Sequence, residues 1–128
     1  MSKNGSKTVL VVDDAPFILD VIRKMLSSLD CRLFLAASGE EALKLTKSSD
    51  VKIDLLLTDV FMPGMNGLEL AQTLKSNQPQ IKIVFMSGSP NYMVAERLGV
   101  LTLGDNFIQK PLMPTKLVHK LSAMLDEK

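Results

Sequence analysis

The sequence predicts an α/β domain in which a doubly wound parallel sheet of five strands carries helices on both faces. Three observations predict it. Short apolar runs alternate with segments of helical periodicity along the chain, the pattern of a parallel sheet covered on both sides. Right-handed crossovers leave few topologies for such a chain, and 2-1-3-4-5 is a common doubly wound order. Nearly every run also ends on a polar group: Asp13 and Asp14, then Asp59, Ser87 and Lys110. Ligands in open parallel sheets bind at that edge.

The first strand is the run Thr8 to Val12. Pro16 suits an early helical position, where its missing N–H is harmless. Phe17, Ile18, Val21, Ile22, Met25, Leu26 and Leu29 follow as the apolar stripe of a first helix. Arg32 to Ala37 reads as the second strand. Ser38 with Glu41 three residues on is a capping-box signature, and Ala42, Leu43 and Leu45 continue that helix. The third strand is Ile53 to Thr58, ending at Asp59. Pro63-Gly64 and Asn66-Gly67 then mark tight turns, before a helix carrying Leu68, Leu70, Ala71 and Leu74 that ends near Asn77. The run Ile81 to Met86 ends at Ser87, and a fourth helix is expected from Tyr92 to Leu98. Phe107 to Gln109 forms the last strand. The final helix starts near Pro114 and buries Leu117, Val118, Leu121, Met124 and Leu125.

The chain of 128 residues suits one domain, and 46% hydrophobic residues argue for a packed core. A net charge of +1 gives no basic field for nucleic acid. Cys31 is the single cysteine, so no internal disulfide forms and a reducing, cytoplasmic setting is expected. No apolar stretch approaches a membrane span, so no membrane contact is expected of this chain. Residues 1–7 read as a flexible leader and 8–126 as the domain. His119 reads as a surface or boundary residue, not a phosphodonor or ligand, and Cys31 as packing at an element end. Eight methionines read mostly as core filling.

In the order 2-1-3-4-5 the first and third strands are neighbours, so Asp13, Asp14 and Asp59 meet at one rim. Like charges that close carry a cost unless compensated, and a divalent cation with hard oxygen ligands is the natural compensation. A carboxylate can also be a nucleophile that forms an aspartyl phosphate.

The Val11-Val12-Asp13-Asp14 strand end, Asp59 followed by Met62-Pro63-Gly64-Met65-Asn66-Gly67, Ser87, and Lys110-Pro111 resemble the receiver domain of two-component response regulators. The resemblance runs from Thr8 to about Leu125, and the strings around Ser87 and Lys110 look most like receivers of hybrid sensor histidine kinases. It implies the flavodoxin-like (βα)5 fold. It implies that Asp59 takes a phosphoryl group from a phosphohistidine, in a phosphoacceptor that catalyses its own phosphorylation and slow dephosphorylation. Asp13, Asp14, Asp59 and the Phe61 carbonyl would hold Mg²⁺, with Mn²⁺ as the alternative. Ser87 would hydrogen-bond the phosphoryl group and Lys110 would pair with it. The Lys110-Pro111 bond is typically cis in the family. Ser87 and Phe107 would form the switch, moving the surface of the last two strand–helix units, where Leu98, Val100, Leu101 and Leu103 supply apolar groups. The implied partner is a sensor histidine kinase or a histidine phosphotransfer protein, with a homodimer as a further option. The chain would be a free-standing receiver or a domain cut from a larger kinase.

Two other classes stay in view. A phosphatase of the haloacid-dehalogenase type wants a second acid two residues past its nucleophile, where this chain has Phe61. A degenerate receiver or flavodoxin-like binding module would need no phosphate, yet every acid, hydroxyl and lysine of the set is present. No Gly-rich loop follows the first strand, so a dinucleotide site is unsupported.

Overall fold

The computed structural model describes residues 7–49, 51–87 and 107–126. Five strands form one sheet in the order β2-β1-β3-β4-β5, with every pairing parallel: β1 (Thr8–Val12), β2 (Arg32–Ala36), β3 (Leu55–Asp59), β4 (Lys82–Ser87) and β5 (Phe107–Gln109). The described helices are α1 (Pro16–Met25), continued by a 3₁₀ turn over Leu26–Ser28, α2 (Gly39–Ser49), α3 (Gly67–Asn77) and α4 (Pro114–Asp126). The helix expected at Tyr92 to Leu98 and the apolar positions Leu98, Val100, Leu101 and Leu103 lie outside the described residues. So do residues 1–6 of the expected leader.

The central strands are apolar because both of their faces are covered. Leu10, Val12 and Leu56 point to the side where Ala42 of α2 and Leu70 and Leu74 of α3 pack. Val9, Val11, Leu55 and Leu57 point to the other side, against Leu19 and Ile22 of α1 and Leu117, Leu121 and Leu125 of α4. The period of two along each strand thus serves two helical layers from one run. None of the described helices is long and apolar enough to cross a membrane.

Three expectations need correction or adjustment. Phe17 is not on the buried stripe of α1: it is 74% exposed, and Leu19 takes the core position instead. At 100° per residue Phe17 lies about 140° around the helix from Ile22, whereas Leu19 lies about 60° away. Strand β2 ends at Ala36, one residue before the expected Ala37. Strands β3 and β4 each lie later than their apolar runs, starting at Leu55 and Lys82 and ending on Asp59 and Ser87 themselves. The final helix is as expected, with Val118 and Met124 partly buried at the edges of its apolar face. His119 is exposed, and Cys31 is half-buried just before β2.

Candidate functional site

Sheet register builds the site. Val12 pairs with Thr58, so the next residue of each strand path, Asp13 and Asp59, emerges side by side. Asp59 pairs with Met86 and Ser87 pairs with Gln109, which puts Ser87 and Lys110 one step further along the same rim. The ladder continues past β5, with the Lys110 N–H donating to the Ser87 carbonyl at 2.8 Å.

Asp13 is held on both sides. Its main-chain N–H donates to the Ala36 carbonyl at 3.2 Å, and its Oδ1 accepts from the Ala15 N–H at 2.9 Å. That leaves Oδ2 to face Lys110, whose Nζ lies 2.8 Å away. The same Nζ is 3.4 Å from Asp59 Oδ2. Asp13, Asp59 and Ser87 are buried, while Asp14 is exposed at the mouth. One carboxylate oxygen from each of Asp13, Asp14 and Asp59 lies within 4.8 Å of the other two.

The electrostatics are those of an overloaded acidic rim. Burial pushes the Asp59 carboxyl above the usual carboxylate range, Lys110 opposes that, and the charges of Asp13 and Asp14 add to it. For Lys110 burial acts downward, but the hydrogen bond to Asp13 and the charge of Asp59 outweigh it, so the ammonium is held above its ordinary value. Three carboxylates thus gather at one rim and, among the described residues, the Lys110 ammonium pairs with two of them, Asp13 and Asp59. The donor set fits a small hard cation, which favours a few carboxylates with water completing its shell.

The loop after Asp59 is fixed at its ends. The Val60 N–H donates to the Met86 carbonyl at 3.0 Å, and the Gly67 N–H returns to the Val60 carbonyl at 2.9 Å. Gly64 takes φ +75°, a left-handed conformation that suits glycine. Asn66 caps α3 in a full capping box with Glu69. Phe61 stands 40% exposed at the rim, and Met62 turns into the core. Phe107 is partly buried against the layer of α2 and α3 and pairs with Phe85. The Lys110-Pro111 bond is cis.

Two features escaped the sequence reading. Thr58 is buried and its hydroxyl donates to the Asp59 carbonyl at 3.0 Å; nothing in the string marks that bond. The large exposed hydrophobics among the described residues are Phe17, Phe61 and Met113. Each follows the end of a strand (β1, β3 and β5), so all three lie on the acidic side of the sheet. A cavity of about 730 Å³ opens at the opposite edge, between Thr46, Leu74, Gln78 and Ile81.

Residues 9–122 match the family model described as the response regulator receiver domain. The chain belongs to that family. It is a receiver domain of two-component signalling. It is 34% identical over 94% of its length to the putative two-component response regulator ARR21 of Arabidopsis thaliana, covering 19% of that protein. It is 34% identical over 97% of its length to the autoinducer 1 sensor kinase/phosphatase LuxN of Vibrio harveyi, covering 14% of it. The receiver thus spans a minor part of these relatives. Among solved structures, the receiver domain from the hybrid histidine kinase CckA is similar at 28% identity, with a TM-score of 0.75 and coverage of 93% of this chain and 99% of that one.

Proposed function

We propose that this receiver accepts a phosphoryl group on Asp59 from a phosphohistidine of a sensor histidine kinase or histidine phosphotransfer protein, in the presence of Mg²⁺. The observation that carries the reading is the meeting of the Asp13, Asp14 and Asp59 carboxylates at one rim, with the Lys110 ammonium 2.8 Å from Asp13 and 3.4 Å from Asp59.

A carboxylate oxygen of Asp59 attacks the phosphorus as the bond to the imidazole nitrogen breaks, and that nitrogen keeps the electron pair. Phosphoryl transfer asks the protein for positioning and charge neutralisation more than covalent chemistry. Asp13, Asp14, Asp59 and the Phe61 carbonyl would hold Mg²⁺ or Mn²⁺, which supplies charge neutralisation to the phosphoryl oxygens. Lys110, a point charge on a flexible stem, follows the arriving group from its place beside both carboxylates. Ser87 supplies a hydroxyl donor from the neighbouring strand end. The added charge of about −1.5 to −2 draws Ser87 and Lys110 toward the phosphoryl group. Phe107, on the strand that ends beside Lys110, carries the change to the outer surface around β5 and the final helix. A cytoplasmic setting agrees with the single half-buried thiol of Cys31.

An open rim suits a macromolecular donor. Asp59 is only 8% exposed, so the phosphohistidine must be brought to it by a surface that docks around the cleft. Phe17, Phe61 and Met113 supply apolar anchors there. The test is incubation with acetyl phosphate and Mg²⁺, read on a phosphate-affinity gel, beside the same mixture with excess chelator. A retarded band that needs Mg²⁺ supports the reading. Turnover of the donor without a retarded band points to a phosphatase, and no reaction in either tube rejects phosphoacceptor function.

A further inference from the structure

We infer that Glu40 is a positioning residue for the loop of residues 61–66 and, through it, for the Phe61 carbonyl; the inference rests on the metal site proposed above. Glu40 stands exposed in the first turn of α2, yet its Oε2 accepts from the Met65 N–H at 3.3 Å. A Cβ on Gly64 would lie 3.1 Å from the same oxygen, so the left-handed turn at Gly64 is folded directly against the carboxylate. One residue earlier, a Cβ on Gly39 would come 2.8 Å from Met65 Sδ. The start of α2 and the middle of the loop are therefore in close contact at three neighbouring places.

The other end of the loop is fastened separately. Asn66 and Glu69 close their capping box, with Asn66 Oδ1 accepting at 2.8 Å and Glu69 Oε1 at 2.9 Å. Gly67 is pinned to the Val60 carbonyl. Glu40 fastens the middle, where neither of those bonds reaches. Mg²⁺ demands near-ideal octahedral geometry, so the freedom of one carbonyl ligand is read out as affinity. Because the Glu40 bond is long and exposed, its removal should weaken Mg²⁺ binding by only ~3-fold.

The test compares wild type, Glu40→Gln and Glu40→Ala by calorimetric Mg²⁺ titration and by amide hydrogen exchange at Met65. Glutamine keeps an oxygen acceptor and loses the charge; alanine loses both. The expected result is weaker Mg²⁺ binding and faster Met65 exchange in Glu40→Ala, with Glu40→Gln near wild type in both. Wild-type affinity in Glu40→Ala overturns the inference, as does a loss of affinity without faster exchange. A Glu40→Gln variant as weak as Glu40→Ala also overturns it, assigning the effect to charge at a distance. Wild type that binds no Mg²⁺ rejects the metal site itself, a failure distinct from these.

Discussion

A Cβ on Gly67 would stand 2.0 Å from the main-chain oxygen of Asp59. That distance leaves no room for any side chain, and the obstacle is backbone at the end of a central strand. Gly67 lets the return of the chain into α3 pass directly against the residue at the centre of the site. Gly67→Ala should therefore lower stability by about 2 kcal/mol, the scale of an overpacked core. It should also depress phosphorylation by shifting Asp59. Chemical denaturation and phosphorylation rate check this together, and a variant with wild-type values in both contradicts it.

Lys110 neutralises a pair of buried acids. Lys110→Met keeps most of the apolar stem and removes the charge, leaving Asp13 and Asp59 facing each other uncompensated. Without divalent cation the variant should lose about 1–3 kcal/mol of stability. Mg²⁺ should recover more of that loss than it adds to wild type. Thermal melts with and without Mg²⁺ measure both quantities; equal Mg²⁺ shifts in the two proteins contradict the account.

The raised Asp59 carboxyl fixes a pH dependence. Its folded form holds the proton more tightly than the unfolded chain does. Its contribution is therefore favourable below the ordinary carboxylate range and is lost as pH rises through the elevated folded value. Asp59→Asn removes that loss. At neutral pH without Mg²⁺ the variant should be more stable than wild type by ~1 kcal/mol, a common scale for a single-site change. The gap should narrow as pH falls and the wild-type carboxyl takes up its proton. Denaturation midpoints across pH test the sign, and a variant less stable than wild type at neutral pH reverses it.

Phe61 and Phe17 separate chemistry from docking. Phe61→Asn replaces an apolar ring, 40% exposed and two residues past Asp59, with a polar group; if the ring shields Asp59 from water, phosphate should be lost several-fold faster than from wild type. Equal or slower decay rejects the shielding. Phe17→Ala should leave stability nearly untouched and leave phosphorylation by acetyl phosphate unchanged, while slowing transfer from a phosphohistidine protein. Leu19→Ala, two residues on, should instead cost about 2–5 kcal/mol.

That contrast also shows where the sequence was legible. β1 and β3 could be read because continuous apolar runs terminate in acids, and the alternation of runs with helices left few ways to order the sheet. Asp13 and Lys110 are 97 positions apart, and only topology or family resemblance could bring them together. Phe17 is apolar yet lies outside the stripe, because apolar identity alone hides angular position; counting 100° per residue places it outside. Glu40 was invisible as a partner of Met65, since an exposed glutamate in a first helical turn already has a sufficient role in the helix dipole. Gly67 was legible as a turn, but the oxygen it must pass was not.

The most direct test of the central claim is to find the atom that takes the phosphoryl group. The protein, phosphorylated by acetyl phosphate with Mg²⁺, is trapped by borohydride reduction of the acyl phosphate and mapped by peptide mass spectrometry. Reduction is expected at Asp59, and none in Asp59→Asn. Reduction at Asp13 or Asp14, or a phosphoryl group left on Ser87, would contradict it.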